Sequence, residues 1–233
     1  MKSALNARLF SVAELVRQGA VLADIGTDHA YLPIFLLERG TIRHAYLADV
    51  NSGPLASARE NAAEHGLLDK VTLVLADGAA SLSESSATDY AICGMGGELI
   101  ASIIDAAPHL RCGEIRLLLQ PMTRQAHLRR YLYENGFNIE REVYTTEGDK
   151  HYVVMQVRYV GVSRTIDDAE AEIGVGGTVF VNDGARLEYL KVKHKALCRA
   201  RIGRHGDKEL PPSDTVCERA VADEIERIKS YGG

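Results

Sequence analysis

An α/β fold built on a mainly parallel sheet follows from three features of the sequence. Short apolar runs alternate with helix-like stretches from residue 21 to about residue 160, three successive runs end in an aspartate, and the last two runs are separated only by a tight turn. The five runs at 21–26, 44–50, 71–77, 90–95 and 115–121 are short and rich in Val, Leu, Ile and Ala, as strands buried on both faces must be. The stretches between them are helical. Residues 54–65 run up to Gly66, a C-terminal stop, and 98–107 end before Pro108. Residues 124–135 place Leu128, Tyr131 and Leu132 at helical spacing ahead of Gly136. Two further strands, 139–146 and 152–160, flank the turn Glu147-Gly148-Asp149 and must therefore be antiparallel. The expected sheet thus has seven strands, five parallel and then a terminal hairpin.

After Val160 the alternation stops. Residues 160–184 read as a linker with turns, because Gly174, Gly176 and Gly177 weaken any helix there. Two amphipathic patterns follow: Leu187, Leu190, His194 and Leu197 form one stripe, and Cys217, Val221, Ile225 and Ile228 another, with a stop at 206–213 that contains Pro211 and Pro212. Neither helix buries its stripe alone, so the two are expected to pack as an antiparallel hairpin with basic residues outward. The expected organisation is a catalytic domain over 1–160, then a linker and helical hairpin over 161–233.

With 233 residues, 46% of them hydrophobic and 25% charged, the chain can bury a substantial core, which excludes global disorder. No run approaches the roughly 18 uncharged apolar residues of a membrane helix, and the N-terminal MKSALNARLF carries charges where a signal peptide is apolar. A cytoplasmic protein without membrane contact is expected, with a monomer favoured. Cys93, Cys112, Cys198 and Cys217 show no CxxC or Cys/His spacing, so neither a metal site nor a disulfide framework is signalled. The formal net charge of −5 conceals a basic stretch. Residues 186–208 hold Arg186, Lys191, Lys193, Lys195, Arg199, Arg201, Arg204 and Lys208 against Glu188 and Asp207, a local +6 that leaves −11 elsewhere. Such a stripe on an acidic protein is either a solvated helix face or a surface for an acidic partner.

The chemistry concentrates at strand ends. In ADIGTDHAYLP, residues 23–33, Asp24-Ile25-Gly26 closes the first strand, and Gly26 permits close approach of a ligand to backbone N–H groups. A GxGxxG fingerprint would need glycine at 26, 28 and 31, where the chain has Gly26, Asp28 and Tyr31. Asp28 would repel a pyrophosphate, which disfavours NAD and FAD, whereas S-adenosylmethionine has no phosphate and is cationic at sulfur and nitrogen. Asp49, followed by Val50 and Asn51, lies 23 positions after Gly26, the spacing of an acidic residue that binds ribose hydroxyls, although a strand-end Asp is also a common helix cap. Asp77-Gly78 offers a carboxylate for an adenine amino group. At the fourth strand, Cys93 leads into Gly94-Met95-Gly96-Gly97, a backbone able to curl under a planar group or simply a tight turn. No NPPY-like sequence is present, which counts against methylation of an exocyclic amine.

GTDHAYLP (26–33), LADVN (47–51), CGMGGELI (93–100) and LQPMTRQAHLRRYLYENGF (119–137), followed by a helical appendage, resemble the bacterial tRNA (adenine-22-N1)-methyltransferase family over about residues 3–160. The resemblance implies a Rossmann-like catalytic domain with a small, coiled-coil-like C-terminal helical domain, S-adenosylmethionine as cofactor, and methyl transfer to N1 of an adenine in tRNA. The cofactor shell is then expected to comprise Asp24, Gly26, Thr27, His29, Asp49, Val50, Asn51, Asp77, Gly78, Cys93 and Gly94. Tyr31, Met95, Gly96, Gly97, Gln120 and Arg124 are expected to face the substrate nucleotide, with Lys191, Lys195 and Arg199 on tRNA phosphates. Arg8, Arg17, Arg129 and Arg130, with Arg124, are further phosphate candidates, Arg129 and Arg130 otherwise being an exposed helix face. Asp28 is the candidate catalytic group, stabilising the cation formed on the base, or else the N-cap of a helix beginning at His29. The same half-site on this fold also suits a small-molecule methyltransferase, or a non-catalytic RNA-binding protein with a vestigial pocket.

Overall fold

The structure, a computed structural model, describes residues 5–205 and 213–231. Asn6 opens the fold as a helix cap, its side-chain oxygen accepting from the Leu9 N–H at 2.9 Å, and starts α1 (Ala7–Ala13). Alternating strands and helices follow: β1 (Ala20–Ile25), α2 (Tyr31–Glu38), β2 (Ile42–Asp49), α3 (Ser52–Glu64), β3 (Val71–Leu75), β4 (Asp89–Gly96), α4 (Gly97–Asp105), β5 (Arg116–Thr123) and α5 (Gln125–Glu134). The hairpin β6 (Phe137–Glu147) and β7 (Lys150–Tyr159) turns over Gly148 and Asp149, as expected. Then come α6 (Asp168–Ile173), β8 (Val179–Val181), α7 (Asp183–His205) and α8 (Ser213–Tyr231).

The strand order is β3-β2-β1-β4-β5-β7-β6-β8. β1 to β5 are mutually parallel, and β7 is antiparallel to both β5 and β6. The eighth strand corrects the expected seven and the linker reading of 160–184. β8 pairs in parallel with β6, Arg141 opposite Val179 through Val143 opposite Val181, and α6 begins at a capping box made by Asp167 and Glu170. Gly174 does not prevent α6. It ends it, with φ 97°.

β1 shows why the sheet has two buried faces: Val21, Ala23 and Ile25 point into one core, Ala20 and Leu22 into the other. α1, α2 and α3 cover one face through residues such as Val12, Leu36, Ala58 and Ala62. The opposite face packs Ile100, Ile104, Leu128 and Leu132 together with Leu190, Val221, Ile225 and Ile228 of α7 and α8. The two amphipathic stripes do pack as a helical hairpin, and they also join the core beneath the sheet.

Not all basic residues of α7 point outward. Arg186 is buried, pairing with Glu224 of α8 at 2.7 Å and donating to the Ile173 carbonyl at 2.9 Å, while Lys193 pairs with Glu172 at 2.6 Å. Lys195 and Arg199 are exposed, and Lys191 is half-buried beside Glu188. Lys208 and the stop at 206–212 lie outside the described residues. Arg129, expected on a surface, is 0% exposed: it grips Glu142 of β6 through two N–H donors at 2.7 and 2.9 Å and donates to the Ala171 carbonyl at 2.8 Å. Arg17 likewise serves the fold by pairing with the buried Asp89, and Arg130 pairs with Asp168.

Candidate functional site

The carboxyl ends of β1 and β4 open onto a cavity of about 390 Å³, within the usual range for small-molecule sites. Asp24, Gly26, Thr27, Asp28, His29, Tyr31, Cys93 and Gly94 line it, so eight expected residues converge there. Gly26 has φ 75°, and a Cβ on it would lie 2.2 Å from the Met95 methyl carbon. The positive φ is what requires glycine here, because the Met95 methyl is the free end of a flexible side chain. The loop beyond is held from outside, where Asn61 of α3 donates its amide N–H to the His29 carbonyl at 2.7 Å.

The helix does not begin at His29. Ala30, at φ 53°, precedes α2, and no side chain caps it. Asp28 is thus no N-cap; its carboxylate is 78% exposed at the mouth, 3.6 Å from the His29 ring. Tyr31 is half exposed and stacks on His29 with ring centroids 5.2 Å apart, forming an aromatic lip.

Inside, burial raises the Asp24 carboxyl from 3.8 to about 6, with the Thr27 hydroxyl offsetting part of the rise. Apart from that weak interaction with Asp24, the hydroxyl is buried without a hydrogen bond, on a residue that lines the cavity. Burial and the neighbouring Asp24 push the Cys93 thiol above its ordinary range, with Arg8 pulling the other way, so the thiol is favoured over the thiolate. Arg8 of α1 is the residue that sequence reasoning misplaced. It lines the cavity rather than facing solvent phosphates, and it donates to Gln120 Oε1 at 2.7 Å. The same oxygen accepts the Gly94 N–H at 3.2 Å, while the Gln120 amide nitrogen donates to the Pro121 carbonyl at 3.3 Å. Gln120 is fully buried, so in place of the expected substrate contact it positions Arg8 and the Gly94 turn.

The remaining expected residues lie along the same sheet edge, outside this cavity. Gly26 and Thr27 donate to the Ala48 carbonyl at 2.8 and 3.1 Å, and Ala76 donates to the Asp49 carbonyl at 2.9 Å, which sets Asp49 and Asp77 level with the cavity along the strand ends. Asp49 does not cap α3, whose N-cap is Asn51 without a side-chain bond; one of its oxygens accepts the Asn51 N–H at 2.7 Å. Val50, Asn51 and Asp77 are exposed, and Gly78 is held close to Ile103. The smallness of Gly96 and Gly97 has a packing cause. A Cβ on Gly97 would meet the Arg124 carbonyl at 2.5 Å, and one on Gly96 the Thr123 hydroxyl at 3.3 Å, so these glycines admit the turn after β5 rather than a planar ligand. Arg124, at φ 58°, is exposed and pairs with Glu98 at 3.5 Å.

A second, larger groove of about 600 Å³ lies between the β6–β7 hairpin tip and α7, lined by Met122, Lys150, His151, Tyr189, Val192 and Lys193. β6 and β8 run in the same direction as β5, so α7 leaves the sheet at the edge where the cavity opens. Lys191, Lys195 and Arg199 are therefore on the ligand side of the molecule but not in the cavity.

A family model described as a methyltransferase domain matches residues 5–155. The chain is 36% identical over 151 residues to the tRNA (adenine(22)-N(1))-methyltransferase of Bacillus subtilis (strain 168), a match spanning 65% of this chain and 63% of that protein. Among solved structures it is similar to a Streptococcus pneumoniae protein, Sp1610, provisionally assigned as a tRNA (m1A22) methyltransferase, with 31% identity, 97% and 99% coverage and a TM-score of 0.77. The same protein in complex with S-adenosyl-L-methionine gives 32% identity, 96% and 97% coverage and 0.73. The B. subtilis m1A22 tRNA methyltransferase TrmK gives 26% identity, 98% coverage of both chains and 0.70.

Proposed function

This chain belongs to the tRNA (adenine-22-N1)-methyltransferase family, and on that premise we propose that it transfers the methyl group of S-adenosylmethionine to N1 of adenine 22 in tRNA. The observation that carries the reading is a buried carboxylate and a guanidinium, Asp24 and Arg8, lining one cavity beside the Gly26 turn. That pair matches the ammonium and carboxylate of an amino acid moiety, and the orphaned Thr27 hydroxyl supplies a further polar contact. Asp49 binds the ribose hydroxyls and Asp77 the adenine amino group of the same ligand, further along the sheet edge. When bound, the cofactor supplies an electrophilic methyl group on a sulfonium.

The protein's own work is alignment. Adenine N1 carries an in-plane lone pair, so no strong base is needed to begin the reaction. The base must be flipped out of its contacts in the tRNA, at a cost of a few kcal/mol, and held against the methyl carbon. Tyr31, exposed at the mouth and backed by His29, offers the stacking face, with Met95 below. Asp28, solvated at the same mouth, stabilises the positive charge that develops on the base. The exposed Lys195 and Arg199 take up the phosphates around the target, without reading sequence. The reading includes a monomer in the cytoplasm. Among the described residues no helix is long and apolar enough to cross a membrane.

The test is nucleoside mass spectrometry of unmodified tRNA incubated with the protein and methyl-labelled S-adenosylmethionine. Labelled 1-methyladenosine is expected; label elsewhere, or none, contradicts the assignment. With capping removed as a role, Asp28→Asn is expected to slow single-turnover methylation about as much as Asp28→Ala. A near-normal Asn variant would leave alignment alone as the mechanism.

A further inference from the structure

His194 interrupts the apolar stripe of α7, and the methyl-transfer chemistry uses neither it nor Cys198. The two are one helical turn apart, which places both side chains on one face. The Cys198 sulfur lies 3.8 Å from His194 Nε2 and 3.9 Å from Nδ1. Glu218 reaches the same point from α8, and one donor atom from each of the three residues falls within 4.8 Å of the others. All three are half-buried in the helical hairpin. In a tetrahedral zinc site, with Zn–S about 2.3 Å and Zn–N about 2.0–2.1 Å, sulfur and nitrogen stand about 3.6 Å apart. The sulfur–nitrogen spacing needs to close by only a few tenths of an ångström, and the Glu218 carboxylate, within 4.8 Å of both, by a side-chain rotation toward them.

We propose that His194, Cys198 and Glu218 form a divalent transition-metal site, of the zinc class, that clamps α7 to α8. Imidazole, thiolate and carboxylate are a donor set suited to zinc or cobalt and poorly suited to magnesium or calcium. Two of the donors are anionic when bound, which balances the dication despite Lys195 and Arg199 next door, and binding releases the thiol proton to solvent. A fourth position is left to water. The cysteine spacings alone gave no such signal, because the pattern is one turn of helix plus a residue contributed by a second helix. The clamp lies between the sheet-bound start of α7 and the 206–212 connection. It fixes the helix segment that carries Lys195 and Arg199, and it holds whether or not the chain methylates tRNA.

The test is titration of the metal-free full-length protein with Co²⁺, followed by absorbance. One equivalent is expected to bind with a thiolate-to-cobalt charge-transfer band in the near ultraviolet, and Zn²⁺ is expected to displace it and raise the melting temperature. Cys198→Ser is expected to abolish the band and Cys217→Ser to retain it. His194→Ala and Glu218→Gln should each weaken Co²⁺ binding more than about tenfold, since even outer-sphere partners of a metal contribute that much. Far-ultraviolet circular dichroism and S-adenosylmethionine binding establish that each variant is folded. A band absent from the wild type, unchanged in folded Cys198→Ser, or dependent on Cys217 overturns the site.

Discussion

Asp24 is the residue on which the cofactor reading turns, because burial and ligand charge act on it in opposite directions. Its carboxyl is raised from 3.8 to about 6 by desolvation. The folded value therefore exceeds the unfolded one, and the ligand-free protein loses this group's contribution to stability as the pH rises from about 4 to about 6. A cationic ligand has the opposite preference and binds the ionised form. S-adenosylmethionine affinity is thus expected to climb as the pH rises through about 6 and then level off, with Asp24→Asn weaker and flat across the same range. Calorimetric titrations from pH 5 to 8 check this; a parallel pH dependence in the variant removes Asp24 from ammonium binding. Most of this cavity was legible in the sequence, since strand-end aspartates and a glycine after β1 are local signals. Arg8 and Gln120 were not: their 2.7 Å hydrogen bond joins residues 112 positions apart. Only the fold brings the first helix over the end of β5.

At the scale of elements, the buried pair of Arg129 and Glu142 ties α5 to β6, and Arg129 reaches the end of α6 through the Ala171 carbonyl. Burial alone would lower the Arg129 pKa, but Glu142 outweighs it and the guanidinium stays charged. The Tyr144 hydroxyl also donates to Glu142, so three elements share one polar cluster inside an apolar core. Arg129→Ala leaves an uncompensated buried carboxylate and is expected to destabilise the protein by about 3–5 kcal/mol. Arg130→Ala, one position along on a partly exposed pair, is expected to cost about 1 kcal/mol or less. Chemical denaturation of the two variants checks the contrast, and equal costs would contradict it. α5 itself was legible from its helical period and the glycine that follows it. The inward direction of Arg129 was not, because a doubly basic Arg129-Arg130 pattern reads as a wet surface. β8 escaped for another reason: three residues among glycines carry no alternation, and their pairing with β6 is specified by distant structure.

Across the whole molecule, charge separation and topology agree. The acidic sheet edge suits the cationic cofactor of the proposed reaction, and the basic helix that starts at that same edge suits a polyanion. Replacing Lys191, Lys195 and Arg199 together with Ala is expected to weaken tRNA binding and to lower the salt slope by up to about two to three units, with S-adenosylmethionine affinity unchanged. Binding isotherms at several salt concentrations check this, and an unaltered slope would return the helix face to solvent. The basic stripe was legible in the sequence, but its partition was not. Arg186 and Lys193 went to internal pairs with Glu224 and Glu172, partners on α8 and α6 that no local spacing singles out.

Methylation at N1 of adenine 22 is tested by mapping methyl incorporation on a pair of otherwise identical tRNA transcripts, one with adenine at position 22 and one with guanine there, each incubated with the protein and S-adenosylmethionine. A reverse-transcription stop is expected at position 22 of the adenine transcript, with methyl incorporation near background in the guanine transcript. Equal incorporation into both, or none into the adenine transcript by a protein that binds the cofactor, would contradict it.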